Sequence, residues 1–179
     1  MDGGSVRAER AGSGYGARFT ISLPARSTAA QSLVATSQLD IEDASSDVLQ
    51  GINALVVEDN VTLLEFLIRI LEERGALVTG VRSAGAALEA LRAADSIPFN
   101  VLVTDIGLPG MDGYELLRQI RGDLKFSPER LAAVAVTAFG RKEDRQRAFE
   151  AGCQAHLSKP YEVAQFVATV RRLVQGATP

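Results

Sequence analysis

Val101-Leu102-Val103-Thr104-Asp105-Ile106-Gly107-Leu108-Pro109-Gly110-Met111-Asp112-Gly113 is an apolar run that ends on a carboxylate and breaks at once into turn chemistry. The run is short, β-branched and uninterrupted, the pattern of a strand buried on both faces. Pro109-Gly110 suits the central positions of a type II turn, because proline fixes φ and glycine accepts φ > 0. Asp112 offers an N-cap with Glu115 three residues later, so a helix is expected to open there. Asp105 then lies at the carboxyl end of a buried strand, the edge where open α/β sheets bind ligands. An aspartate that merely caps a turn is the plainer reading, and one residue does not separate the two.

Outward from this stretch the same unit repeats. Ala54-Leu55-Val56-Val57 is a buried strand running into Glu58-Asp59-Asn60, and Leu64, Leu67, Ile68 and Leu71 follow at helical spacing before Gly75. A second strand, Ala76 to Val81, leads through Ser83 to a helix striped by Ala84, Ala87, Leu88 and Leu91. The opening stretch is the third strand, followed by a helix turning Leu116, Leu117 and Ile120 inward. Ala132 to Thr137 is the fourth strand, and a polar helix from about Glu143 to Ala151 is stopped by Gly152. The fifth strand, Ala155 to Ser158, ends at Lys159-Pro160, and Val163, Phe166, Val167, Val170 and Val174 stripe the last helix. Five βα units with short connections predict an α/β fold, one parallel sheet with helices on both faces.

The totals narrow the class. A chain of 179 residues has room for one ordinary domain plus extra sequence. Its 46% hydrophobic and 23% charged content is that of a globular protein. No apolar stretch is long enough for a membrane span, and the Gly- and Arg-rich beginning has no signal-peptide core, so a cytoplasmic location is expected. The one cysteine, Cys153, excludes an internal disulfide framework and reads as a small buried filler. A net charge of −3 argues against nucleic acid as a partner, and Arg171-Arg172 read as a solvated pair complementing a helix dipole.

Residues 1–26 differ from the rest: Ser5-Val6-Arg7-Ala8-Glu9 and Arg18-Phe19-Thr20-Ile21-Ser22-Leu23 alternate around Gly12, Gly14 and Gly16, a hairpin pattern. A lone hairpin is marginal in water, so this piece wants a partner sheet. Residues 27–51 turn to Ser, Thr, Ala and Gln with Asp40, Glu42, Asp43 and Asp47, which predicts an acidic flexible linker. The βα units then occupy residues 52–179.

In a parallel sheet every strand C-terminus points to one edge, so Glu58, Asp59, Asp105, Thr137 and Lys159 are expected to converge. Clustered carboxylates repel by about 4 kcal/mol per pair at 4 Å and an effective dielectric of 20. A divalent cation offsets that repulsion, and Mg²⁺ favours an oxygen site shared with a phosphate. Lys159 adds a point charge and Thr137 a short hydroxyl donor. A carboxylate, a metal, a lysine and a hydroxyl are the parts needed to receive a phosphoryl group.

The motifs Val56-Val57-Glu58-Asp59-Asn60, Thr104 to Gly113, Val136-Thr137-Ala138 and Lys159-Pro160 together resemble the receiver domain of two-component response regulators. The resemblance covers Asn53 to about Gln175. It implies a flavodoxin-like, doubly wound five-stranded sheet in the order 2-1-3-4-5, with Pro109 and Gly110 in the turn and a cis bond before Pro160. By position it makes Asp105 the phosphoacceptor. Mg²⁺ would be held by Glu58, Asp59, Asp105 and the backbone carbonyl of Gly107. Thr137 becomes the switch hydroxyl, Lys159 the essential lysine and His156 the switch residue three places before it. The implied partners are a histidine kinase or a histidine phosphotransfer protein, with signalling, and a possible homodimer, through the fourth helix, fifth strand and fifth helix. Residues 1–26 resemble the final strands of a histidine-kinase ATP-binding domain, without its nucleotide-binding boxes. The chain is thus expected to be the C-terminal end of a hybrid histidine kinase, a phosphoacceptor module and not itself an enzyme.

Two rivals share part of this pattern. An aspartate-nucleophile Mg²⁺ phosphatase of the haloacid-dehalogenase type would need a second aspartate two residues after the nucleophile, and position 107 is glycine. A degenerate receiver that only docks a partner would lack key side chains, and all five are present.

Overall fold

The computed structural model describes residues 5–10, 17–22, 48–93, 98–138 and 142–175. The chain divides into two compact units, one holding the hairpin and the other the sheet. In the first, β1 (Ser5–Arg10) pairs antiparallel with β2 (Ala17–Ser22), Ser5 opposite Ser22 and Arg10 opposite Ala17, as the alternation predicts. The loop between them, Leu23, and the expected linker up to residue 47 lie outside the described residues.

The second unit starts earlier than residue 52. Val48 to Gly51 form a turn, and Leu49 is fully buried, its N–H donating to the Arg74 carbonyl at 2.8 Å. The polar sequence around Leu49 reads as linker, yet its side chain joins Ile52, Leu71 and Ala76 in the core.

Five strands follow: β3 (Asn53–Val57), β4 (Leu77–Val81), β5 (Val101–Asp105), β6 (Ala132–Thr137) and β7 (Ala155–Ser158). They form one parallel sheet in the order β4-β3-β5-β6-β7, which is 2-1-3-4-5 counted within the sheet. The helices are α1 (Val61–Glu72), α2 (Ala84–Ala93), α3 (Gly113–Gly122), α4 (Lys142–Glu150) and α5 (Val163–Gln175). Helices α1 and α5 pack on one face, with Leu67, Leu71, Phe166 and Val170 against Val56, Val103 and Val134. Helices α2, α3 and α4 pack on the other, with Leu88, Leu116, Leu117 and Ala148 against Leu55, Leu102 and Ala133. Each large side chain buried this completely contributes about 1.5–3 kcal/mol. Strands β3, β5 and β6 therefore need apolar residues on both faces, and they have them.

Local chemistry sets the element ends. The Asp112 carboxylate accepts from the Glu115 N–H at 2.7 Å and starts α3, while the Glu115 side chain turns to Arg118 and Gln119 instead of closing a capping box. Gly110 has φ +80°, the value a type II turn requires. In α1 the inward set includes Ile70, with Ile68 only half-buried against the edge strand, where a Cβ on Gly80 would come within 2.5 Å of it. The Lys159–Pro160 bond is cis.

Candidate functional site

Backbone hydrogen bonds beyond the strand ladders lock the strand ends into one edge. The Glu58 N–H donates to Val81, the Ile106 N–H to Val136 and the Lys159 N–H to Thr137, the last at 2.7 Å. Thr137 is thus tied to Lys159 through the backbone, and Asp105 stands opposite Val136, one place before Thr137. The Thr137 side chain is buried, as a hydroxyl at the end of an interior strand should be.

The five predicted side chains gather at this edge with unequal burial. Glu58 is buried at 3% exposure, Asp105 is half-buried and Asp59 is exposed. One carboxylate oxygen from each can be chosen so that all three lie within 4.8 Å of one another. At that spacing each charged pair repels by about 3–4 kcal/mol for an effective dielectric of 20. Lys159 answers two of the three, its Nζ donating to Glu58 Oε2 at 2.9 Å and to Asp105 Oδ2 at 3.0 Å. The Gly107 N–H donates to Asp105 Oδ1 at 3.0 Å, so both Asp105 oxygens are held by donors and the carboxylate is fixed in orientation.

The electrostatics follow from this packing. Burial lifts the Glu58 pKa above the ordinary carboxylate range; the Asp105 charge adds to the rise and the Lys159 bond opposes it. Burial works against the Lys159 ammonium, but its bonds to Glu58 and Asp105 outweigh that, and its pKa is raised. A deeply placed carboxylate that resists ionisation next to two others is a site short of positive charge. The donor set, three carboxylates open to solvent on the Asp59 side, fits a hard divalent cation that prefers oxygen ligands.

His156 lies in β7 beside Ala135, half-buried, with its Nε2 buried and without a hydrogen-bond partner among the described residues. Burial, then the Arg145 charge, lowers its pKa, partly countered by Asp144. It does not join the carboxylate cluster. Cys153 is buried and its thiol is pushed up to about 11 by that burial, so it is a protonated filler as expected.

Three residues escaped the sequence reading, Arg82 and Gly113 at this edge and Arg121 at the opposite end of the sheet. Arg82, just past β4, donates through Nε and Nη2 to the Asp59 carbonyl at 3.4 Å, so the second strand also serves this edge. A Cβ on Gly113 would collide with the Asp105 carbonyl oxygen and lie 2.9 Å from Ile106 Cα, which ties the start of α3 to the end of β5. Arg121 reaches from α3 to the Gly152 carbonyl at 2.9 and 3.0 Å and to the Phe126 and Ser127 carbonyls. The Gly-Met-Asp-Gly run carries a signal for Gly113; for the arginines the only signal is tertiary.

Residues 54–171 match the family described as response regulator receiver domain. The chain is 34% identical over 119 residues to hybrid signal transduction histidine kinase L of Dictyostelium discoideum, covering 66% of this chain and 7% of that protein. It is 31% identical over 125 residues to the polar-differentiation response regulator DivK of Brucella abortus, covering 70% and 98%. Among solved structures, the signal receiver domain of a signal transduction histidine kinase from Syntrophus aciditrophicus superposes with TM-score 0.60 at 31% identity, covering 69% of this chain and 90% of that one. A Francisella response regulator receiver domain superposes with TM-score 0.64 at 21% identity, covering 71% and 99%, a likeness of fold. Among the described residues no helix is long and apolar enough to cross a membrane. Sheet order, clustered strand ends and relatives agree, and the chain belongs to the response regulator receiver domain family of two-component signalling.

Proposed function

We propose that Asp105 is the phosphoacceptor and that Glu58, Asp59, Asp105 and the Gly107 carbonyl hold Mg²⁺ while it is phosphorylated. The observation that carries this reading is the Asp105 carboxylate, aimed by Gly107 and Lys159 beside two further carboxylates. Bound there, Mg²⁺ would supply the charge that lets a phosphoryl dianion approach three carboxylates. An Asp105 oxygen attacks the phosphorus of a phosphohistidine; the P–O bond forms as the P–N bond breaks and the imidazole leaves. Lys159 exchanges its bond to Asp105 for a phosphoryl oxygen. The Thr137 hydroxyl donates to a second oxygen, and His156 follows it as the switch residue at the face of α4, β7 and α5. The donor is a histidine kinase or phosphotransfer protein.

The relatives that are kinases, together with the hairpin of β1 and β2, support a hybrid histidine kinase as the parent, with residues 1–26 the end of its ATP-binding domain and the receiver running from about residue 48, where Leu49 joins its core. Incubation with acetyl phosphate should label the chain with an acid-labile phosphoryl group only when Mg²⁺ is present. Asp105→Asn should abolish that labelling, and equal labelling of the variant would sink the assignment.

A further inference from the structure

The face made by α4, β7 and α5 carries two adjoining grooves of about 400 and 480 Å³. They share Arg145, His156, Leu157 and Gln165; Lys142 completes one and Arg172 the other. Among the described residues no aspartate or glutamate lines either groove. Among the described residues none of Lys142, Arg145 and Arg172 forms an ion pair, and all three are exposed. The concentration of positive charge runs against the whole chain, whose net charge is −3. An apolar anchor lies within the patch: Phe149 is 40% exposed, with the Arg145 guanidinium 5.5 Å from its ring centre.

We propose that these grooves take an acidic, partly apolar segment of a partner protein, an inference that rests on the receiver reading above and names the chemistry its output face selects. Charge complementarity chooses the occupant. A second copy of this chain related by a two-fold axis would lay the same basic patch on itself. A long nucleic acid would meet the chain's overall negative charge, whereas a short acidic segment feels chiefly the cations within a Debye length of about 8 Å. The exposed Phe149 gives a leucine or phenylalanine of such a segment a place to pack, and the guanidinium of Arg145 is planar and suited to a carboxylate.

The test uses the full chain and a fluorescein-labelled peptide alternating Glu with Leu, read by fluorescence anisotropy. A matched peptide carries Gln for Glu. The Glu peptide should bind more tightly. The double variant Arg145→Ala/Arg172→Ala should weaken it about tenfold, as expected for two exposed charge contacts, while Arg92→Ala on α2 leaves it unchanged. Equal affinity for the two peptides overturns the proposal, as does equal weakening by Arg92→Ala. Self-association that Arg145→Ala abolishes would assign the face to a second copy, and tighter binding of a single-stranded oligonucleotide would assign it to nucleic acid; either result overturns it. Mg²⁺-dependent labelling of Asp105 is measured in the same samples. If labelling persists while peptide selectivity fails, only this proposal falls; if labelling is absent, the receiver reading fails first.

Discussion

Helices α3 and α4 each follow a strand that brings a site residue to the edge, yet they are anchored very differently. In ten residues α3 buries Gly113, Tyr114, Leu116, Leu117 and Ile120, and Arg121 clamps its C-terminal end to two loops. In nine residues α4 buries only Ala148. The helix behind Asp105 is part of the core, and the helix behind Thr137 rests on it. If Asp105 is the phosphoacceptor proposed above, it has to be held still while a surface that reports its state shifts at low cost, and the unequal burial of α3 and α4 suits both demands.

The contrast is sharpest in stability. Leu117→Ala should destabilise the chain by about 2–5 kcal/mol, because it empties a fully enclosed site in α3. On exposed α4, Gln146→Ala loses only a hydrogen bond to Glu150 and should stay within about 0.5 kcal/mol. Urea unfolding of both variants checks this; comparable losses would mean that α4 is as firmly built in as α3.

Next in size is Lys159→Met, which leaves Glu58 and Asp105 facing each other. A loss of about 1–3 kcal/mol without metal is expected, below the full cost of breaking a buried pair because the lysine is partly exposed. Saturating Mg²⁺ should shrink that loss, because carboxylates without their lysine bind the cation more tightly than the paired ones of the parent chain. The Lys159 pKa is raised on folding, so the stability it brings is complete below its unfolded value of about 10.5 and disappears as pH rises through the folded value. The variant should lack that alkaline decline. Thermal melts with and without Mg²⁺ and across alkaline pH measure both effects.

A smaller effect of opposite sign is expected at Glu58. Its folded pKa is raised, so the folded state holds the extra proton just above pH 4.5, and stability falls as pH climbs through that window. Glu58→Gln removes the fall and should make the metal-free chain more stable near neutral pH by about 0.5–2 kcal/mol, the usual range when a strained functional group is relieved. The same variant should bind Mg²⁺ more weakly. Calorimetric melts in EDTA and a Mg²⁺ titration followed by calorimetry check the two signs.

Much of this was legible in the sequence because it depends on period and topology. The apolar runs named β3, β5 and β6, and a parallel sheet sends Glu58, Asp59, Asp105, Thr137 and Lys159 to one edge whatever their separation in the chain. What stayed hidden depends on contacts between elements. Leu49 sits among Ser, Asp and Gln, and only the corner where α1 meets β4 makes it core. Ile68 packs over Gly80 on the edge strand and stays half-buried, while Ile70 is buried as well. Arg82 and Arg121 do their work on backbone carbonyls, and no side-chain pattern marks a carbonyl as a partner.

Whether the oriented Asp105 carboxylate takes the phosphoryl group can be read from the residue itself. The direct measurement is to incubate the chain with acetyl phosphate and Mg²⁺, reduce the product with borohydride, and map the converted residue by peptide mass spectrometry. Homoserine is expected at position 105, and none when EDTA replaces Mg²⁺. Conversion at Glu58 or Asp59, or conversion at 105 that ignores the metal, would contradict the role proposed for Asp105.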